Sequence, residues 1–144
     1  NVVLCGETGV GKSALVNLVV GKPVAETSCD ADGCTQDAQH YDISLDGRRI
    51  RLHDTAGLNE PTLELAGYLD AVGKAQRLLI NLERSGGISL LVFCMRAGRI
   101  TASGQKVYRL FESVMCERRV PVAIAVTHLE SEGRLEDWWA RNEK

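Results

Sequence analysis

The sequence predicts an α/β fold of three layers, in which helices cover both faces of a mostly parallel sheet that carries one antiparallel edge strand. Three observations carry that expectation. A glycine-rich turn, Gly6-Glu7-Thr8-Gly9-Val10-Gly11-Lys12-Ser13, joins the apolar run Val2-Val3-Leu4-Cys5 to the helical pattern Ala14-Leu15-Val16-Asn17-Leu18. Two further apolar runs, at 88–95 and 120–126, alternate with helical patterns, the order that parallel strands joined by right-handed helical crossovers require. Between the first two helical patterns, Tyr41, Ile43 and Leu45 alternate with polar residues, Asp46-Gly47 follows, and Ile50 and Leu52 alternate with Arg49, Arg51 and His53. That is a hairpin with a type I′ turn, and it supplies the antiparallel edge.

In chain order, the run at 2–5 is continuously apolar, as expected of a strand covered on both faces. Ala14, Leu15, Leu18 and Val19 give the first helix its apolar face, and Gly21 with Pro23 stops it. Residues 22–39 are small and polar with no periodicity and read as a long loop, either mobile or functional. After the hairpin, Asn59-Glu60-Pro61 opens a helix, with Pro61 suited to its first turn. Leu65, Leu69, Val72, Leu79 and Leu82 mark one face of that helix, softened at Gly67 and Gly73 and ended by Ser85-Gly86-Gly87. The run at 88–95 is a second buried strand. A helix entered at 101–104 buries Val107, Leu110, Phe111, Val114 and Met115, and 120–126 is a third buried strand despite Pro121. Residues 134–144 begin one more helix, whose Trp138 and Trp139 are expected as core or partner-facing bulk. The whole chain, 1–144, reads as one domain that lacks the last strand and helix of such a sheet, and the missing initiator Met points to a fragment of a longer protein.

Composition narrows the class. Of 144 residues, 44% are hydrophobic and 25% charged, the profile of a soluble globular domain. A net charge of −2 gives no bulk attraction for nucleic acid. No apolar run approaches the about 20 residues that span a bilayer, and no secretory signal precedes the first strand. The five cysteines contain no C-x-x-C pair. Cys5 and Cys94 fall in predicted strands and read as small hydrophobes, while Cys29 and Cys34, with His40 nearby, match no familiar zinc spacing. A reducing, cytoplasmic compartment is expected.

The chemistry is concentrated in the glycine turn. The pattern G-x-x-x-x-G-K-S/T wraps successive backbone N–H groups around phosphates and places them at a helix amino terminus, where the partial charge is positive. Gly6, Glu7, Thr8, Gly9, Val10, Gly11, Lys12, Ser13 and Ala14 are therefore the candidate phosphate-binding residues. Lys12 brings an ammonium to the β and γ oxygens, and the Ser13 hydroxyl suits Mg²⁺, which takes oxygen ligands. Asp54 closes the hairpin strand and opens Asp54-Thr55-Ala56-Gly57, a D-x-x-G that puts a carboxylate near the metal and a Cβ-free amide near the γ-phosphate. Thr35, in the polar loop, is placed to offer Mg²⁺ a hydroxyl and the γ-phosphate an N–H. It is preferred to Thr27 and Ser28 because it lies nearer the strand that leads to Asp54.

These residues resemble a known family, the translation-factor-related small G-domain GTPases of the P-loop class. Gly6 to Ser13, Thr35 and Asp54 to Gly57 match its phosphate, first-switch and second-switch motifs. The wording Gly-Glu-Thr-Gly-Val-Gly-Lys-Ser looks most like the septin and immunity-associated branch and like fungal G-domain proteins. The resemblance implies a mostly parallel sheet wrapped by helices, binding of GTP and GDP with Mg²⁺, and hydrolysis of GTP to GDP and phosphate. It makes Lys12, Thr35 and Gly57 the catalytic candidates and Ser13, Thr35 and Asp54 the metal ligands. Two departures stand out. Where the family carries its base-reading Asn-Lys-x-Asp, this chain has Thr127-His128-Leu129-Glu130. Glu130 can accept from guanine N1–H and the exocyclic amine, while His128 either stacks on the base or is a surface residue without a role. Leu58 follows the D-x-x-G where many relatives place a water-orienting Gln, so slow intrinsic hydrolysis is expected. Arg96, Arg99 and His53 are polar groups from which the sequence selects no helper. A nucleotide-dependent assembly module that dimerises through its nucleotide face, with little turnover, is the second reading. A P-loop kinase or ATPase is the third, against which D-x-x-G and Glu130 count.

Overall fold

A computed structural model of the chain describes residues 1–25, 39–58, 65–98, 100–130 and 132–142. Five strands form one sheet: β1 (Val2–Gly6), β2 (Gln39–Leu45), β3 (Arg48–Asp54), β4 (Leu90–Arg96) and β5 (Val122–Thr127). Their order is β2-β3-β1-β4-β5. Among the described residues only the β2–β3 pair is antiparallel, as the hairpin requires. Asp46 and Gly47 both take positive φ, 49° and 75°, the signature of the type I′ turn. The expected three-layer α/β architecture with one antiparallel edge strand is therefore what forms.

Alternation along the strands splits the core in two. Val3, Cys5, Leu91 and Phe93 pack on one face with Ala71, Ala75, Leu79 and Leu82 of helix α2 (Leu65–Arg84) and with Val107 and Phe111. Leu4, Leu52 and Cys94 pack on the other with Val10 and with Val16 of helix α1 (Lys12–Val20). Helix α3 (Ala102–Arg109) runs directly into a π-helical segment, Leu110–Met115, and helix α4 (Leu135–Asn142) comes last. Trp138 of α4 is buried and donates its indole N–H to Gly98 O at 3.3 Å, whereas Trp139 is exposed.

Four side-chain expectations change. In α1, Leu18 and Val19 are exposed, because Lys12 must face the glycine turn and one helical turn later that face falls on Val16. Leu69 is exposed too, the buried stripe of α2 passing through Ala71, Ala75, Leu79 and Leu82, and the helix runs unbroken through Gly67 and Gly73. Val114 is exposed and Cys116 is buried in its place. The reason is the π segment: Cys116 N–H donates to Phe111 O at 2.9 Å, five residues back, so each residue advances the helix by a smaller angle and the stripe slips. Lastly, β5 is not covered on both faces, since Ala123 and Ile124 are exposed and the strand pairs with β4 alone among the described residues.

Candidate functional site

The turn from Gly6 to Ser13 closes over the carboxyl ends of β1 and β4. Gly11 caps α1 with φ 89°, a left-handed conformation that costs an L side chain about 1 kcal/mol or more. A Cβ there would also stand 3.6 Å from the His128 ring. The backbone of the turn is thus shaped by glycine so that α1 points its amino end into the concavity.

Lys12 and Asp54 meet there. Lys12 is almost fully buried, and its ammonium donates to the Glu7 carbonyl at 3.0 Å. Burial lowers its pKa, with the Asp54 charge opposing that shift. Asp54, 1% exposed, accepts from the Ser13 hydroxyl at 2.7 Å through Oδ2. Its other oxygen, Oδ1, is buried without a hydrogen-bond partner among the described residues. Burial raises the Asp54 pKa, while the Ser13 hydrogen bond and the Lys12 charge pull it down. A sealed carboxylate oxygen costs about 1–3 kcal/mol when left unsatisfied, so the site is built to receive a donor or a cation. An orphaned carboxylate oxygen and a serine hydroxyl beside it form a hard oxygen set that fits Mg²⁺ or its water shell.

The segment after Asp54 is fixed by contacts that the sequence did not signal. Thr55 Oγ1 donates to Leu4 O at 2.8 Å, and Leu58 N–H donates to Gly6 O at 3.2 Å. Glu7 and Leu58 form an isolated parallel bridge. Between them Gly57 lies against the turn, and a Cβ there would stand 2.5 Å from Thr8 Cα and Thr8 Oγ1. Leu58 is fully buried, among Val3, Cys5 and the helices of that face.

At the other end, Thr127 Oγ1 lies 2.6 Å from Val10 O, 3.2 Å from Met95 O and 3.0 Å from His128 Nδ1. Its single proton goes to the nearest carbonyl, which ties β5 to the glycine turn. His128 has φ 57° and is half-buried, its ring beside Gly11, while Glu130 is exposed. Thr127 therefore closes β5 and the other two follow it in the loop, with Thr127 and His128 against the glycine turn. Ala14 is exposed on α1.

Of the other candidates, Thr35, with its competitors Thr27 and Ser28, lies outside the described residues, as do Cys29, Cys34, Arg99 and the helix entry at 59–61. Arg96 is exposed at the end of β4. His53 is buried, 3.1 Å from Asn1 Oδ1, and sits next in the strand to Asp54, so it points to the opposite face of the sheet. Burial and the neighbouring His40 push its pKa down to about 4. Among the described residues, no cluster of three or more His, Cys, Asp or Glu could hold a metal by itself, and no helix is long and apolar enough to cross a membrane.

Comparison with known proteins agrees with this geometry. The family model described as 50S ribosome-binding GTPase matches residues 1–128. The tRNA modification GTPase MnmE of Leptospira biflexa is 49% identical over 61 residues, 42% of this chain and 13% of that protein. Immune-associated nucleotide-binding protein 7 of Arabidopsis thaliana is 28% identical over 127 residues, 88% of this chain and 40% of that protein. The chain thus spans well under half the length of either relative. Toc33 from Arabidopsis thaliana, solved with GDP and Mg²⁺, aligns with a TM-score of 0.71 at 21% identity, over 99% of this chain and 57% of that one. A structure of the chloroplast translocon components atToc33 and psToc159, described with dimerization as important for their GTPase activity, gives 0.75 at 20% identity over the same shares. At such identities the likeness is one of fold. The glycine turn, the D-x-x-G and Thr127-His128 all lie inside the matched residues, and the chain belongs to the 50S ribosome-binding GTPase family.

Proposed function

We propose that this chain binds GTP with Mg²⁺ in the concavity between the glycine turn and Asp54 and hydrolyses it slowly to GDP and phosphate. The observation that carries this reading is Asp54 itself: one oxygen held by Ser13, the other sealed and unpartnered, with the Lys12 ammonium close enough to act on its charge. Ser13 and Asp54, joined by Thr35 from the loop, are the residues that would hold the metal. When bound, Mg²⁺ supplies positive charge to the phosphate oxygens.

The protein's own groups supply the rest. Backbone amides from Gly9 to Ser13 and the amino end of α1 bind the phosphates. Lys12 leaves the Glu7 carbonyl for the β and γ oxygens and neutralises charge that grows on the bridge between them, the kind of preorganised stabilisation that lowers such barriers most. Gly57 offers an amide to the γ-phosphate. His128 stacks on the base, and Glu130 accepts from guanine. Leu58 has no polar side-chain group and is packed into the core, so nothing at that position orients the attacking water, and turnover of the chain alone is slow.

Phosphate release from GTP at several protein concentrations tests this. Slow turnover supports the reading, and fast turnover independent of protein concentration contradicts it. A second reading, in which the nucleotide shapes a dimer face, is favoured by the dimerization described for the Toc33 and Toc159 components. Mass in solution with GDP, with a non-hydrolysable GTP analogue and without nucleotide separates the two, since a switch acting as a monomer keeps the same mass in all three.

A further inference from the structure

The strip Glu7-Thr8 is pressed between two glycines from distant parts of the chain. Gly57 lies on one side, its would-be Cβ 2.5 Å from Thr8. On the other is Gly104, in the first turn of α3, where a Cβ would stand 3.1 Å from Thr101 Oγ1, 3.4 Å from Glu7 Oε2 and 3.9 Å from Glu7 Cδ. The backbone of Glu7 meanwhile bridges to Leu58, and its carbonyl accepts from Lys12. One residue therefore touches the ammonium that serves the phosphates, the segment after Asp54, and α3.

The chemistry of the α3 end suits this contact. Thr101 caps the helix by accepting from Gly104 N–H at 3.0 Å, and the first turn contains no acidic residue of its own. A first turn exposes unpaired N–H groups and favours a nearby anion, and here the carboxylate arrives from the glycine turn. Glu7, Thr8 and Gly9 also line, with Gln105, Tyr108 and Glu112, a cavity of about 870 Å³, so the strip and α3 form adjoining walls of one space.

We propose that Glu7 is a positioning residue: its carboxylate, seated against Gly104, fixes the carbonyl that holds Lys12 and so couples the phosphate-binding turn to α3. This rests on the phosphate-binding reading above. The seat should set nucleotide affinity from a helix that touches no phosphate.

Glu7→Ala removes the carboxylate from the seat, and a thermal melt of the nucleotide-free variant separates a loss of affinity from a loss of fold. Glu7→Ala is expected to raise the Kd for GDP about three- to tenfold, the scale of one anion at a helix end. Glu7→Gln, which keeps the shape without the charge, recovers less than half of the loss. Unchanged affinity in Glu7→Ala or full recovery by Gln would each overturn the proposal. Hydrogen exchange of amides 102–105 in nucleotide-free protein reads the seat directly: faster exchange in Glu7→Ala is expected, and unchanged exchange overturns it. If exchange responds but the unaltered protein binds no GDP, the seat stands and the phosphate-binding reading fails.

Discussion

At the end of the cleft that we propose for the phosphates, from Gly6 to Ser13 with Asp54 and Gly57, the groups are backbone amides and buried side chains held at the ends of two neighbouring parallel strands. At the end proposed for the base, Thr127 closes β5, a strand paired on one side only among the described residues, and His128 and Glu130 follow it in a loop. Backbone geometry tolerates little, because a methyl group added at Gly57 would collide with Thr8. Side chains on a loop can be exchanged one at a time. The glycine turn and Asp54 to Gly57 are accordingly where this chain keeps the motifs it resembles, with Leu58 a change just after them, and the proposed base end departs further, with Thr127 tied to Val10 and Glu130 left in solvent.

That contrast can be broken most severely at Lys12. Lys12→Ala should lower GDP affinity by about a hundredfold or more, since an ammonium on phosphate in a buried site is worth about 3 kcal/mol. The nucleotide-free melting temperature should hold, because among the described residues no carboxylate pairs directly with the buried ammonium. Calorimetric titration and a thermal melt check the two halves. Gly57→Ala comes next. With no room beside Thr8, the strip must shift, and a stability loss of about 1–3 kcal/mol is expected from overpacking, read from urea unfolding.

The base end should respond more mildly. Thr127→Val removes the hydroxyl that satisfies the Val10 carbonyl, and a drop of about tenfold in affinity for both GDP and ADP is expected from one lost buried hydrogen bond. Glu130→Gln should instead change the ratio between the two nucleotides, and competition binding distinguishes these outcomes. The smallest effect lies outside the cleft. With the folded pKa of His53 near 4 against an ordinary 6.5, the unfolded chain takes up that proton first as pH falls. Stability from this residue is complete above pH 6.5 and is lost as pH drops toward 4. His53→Gln should flatten that part of the profile in urea midpoints measured across it, and an unchanged slope would show that the histidine does not carry it.

Much of this was legible in residue order. Asp46-Gly47 fixed the hairpin, the hairpin fixed where β3 ends, and that end delivers Asp54 to Ser13. What was not legible depends on distant parts of the chain. No local pattern shows that Leu18 faces solvent, because Lys12, not hydrophobicity, sets the inward face of α1. The exchange of Val114 for Cys116 follows from a change of helix type that apolar spacing does not encode. Leu58 read as a missing catalytic group, whereas its place in the core comes from the bridge to Glu7. Thr127 stands where the family carries its base-reading motif, and no local pattern shows that its hydroxyl reaches the Val10 carbonyl of the turn. Gly104 read only as part of the helix entry at 101–104, and its place beside Glu7 depends on a carboxylate nearly a hundred positions away.

The account stands or falls on whether the turn and Asp54 form one metal–nucleotide site. Titrating the unaltered chain with a non-hydrolysable GTP analogue, in Mg²⁺ and again in chelator, tests this most directly. One-to-one binding that weakens about tenfold or more when the metal is removed is the predicted result. Equal affinity under both conditions, or no binding in either, would contradict it.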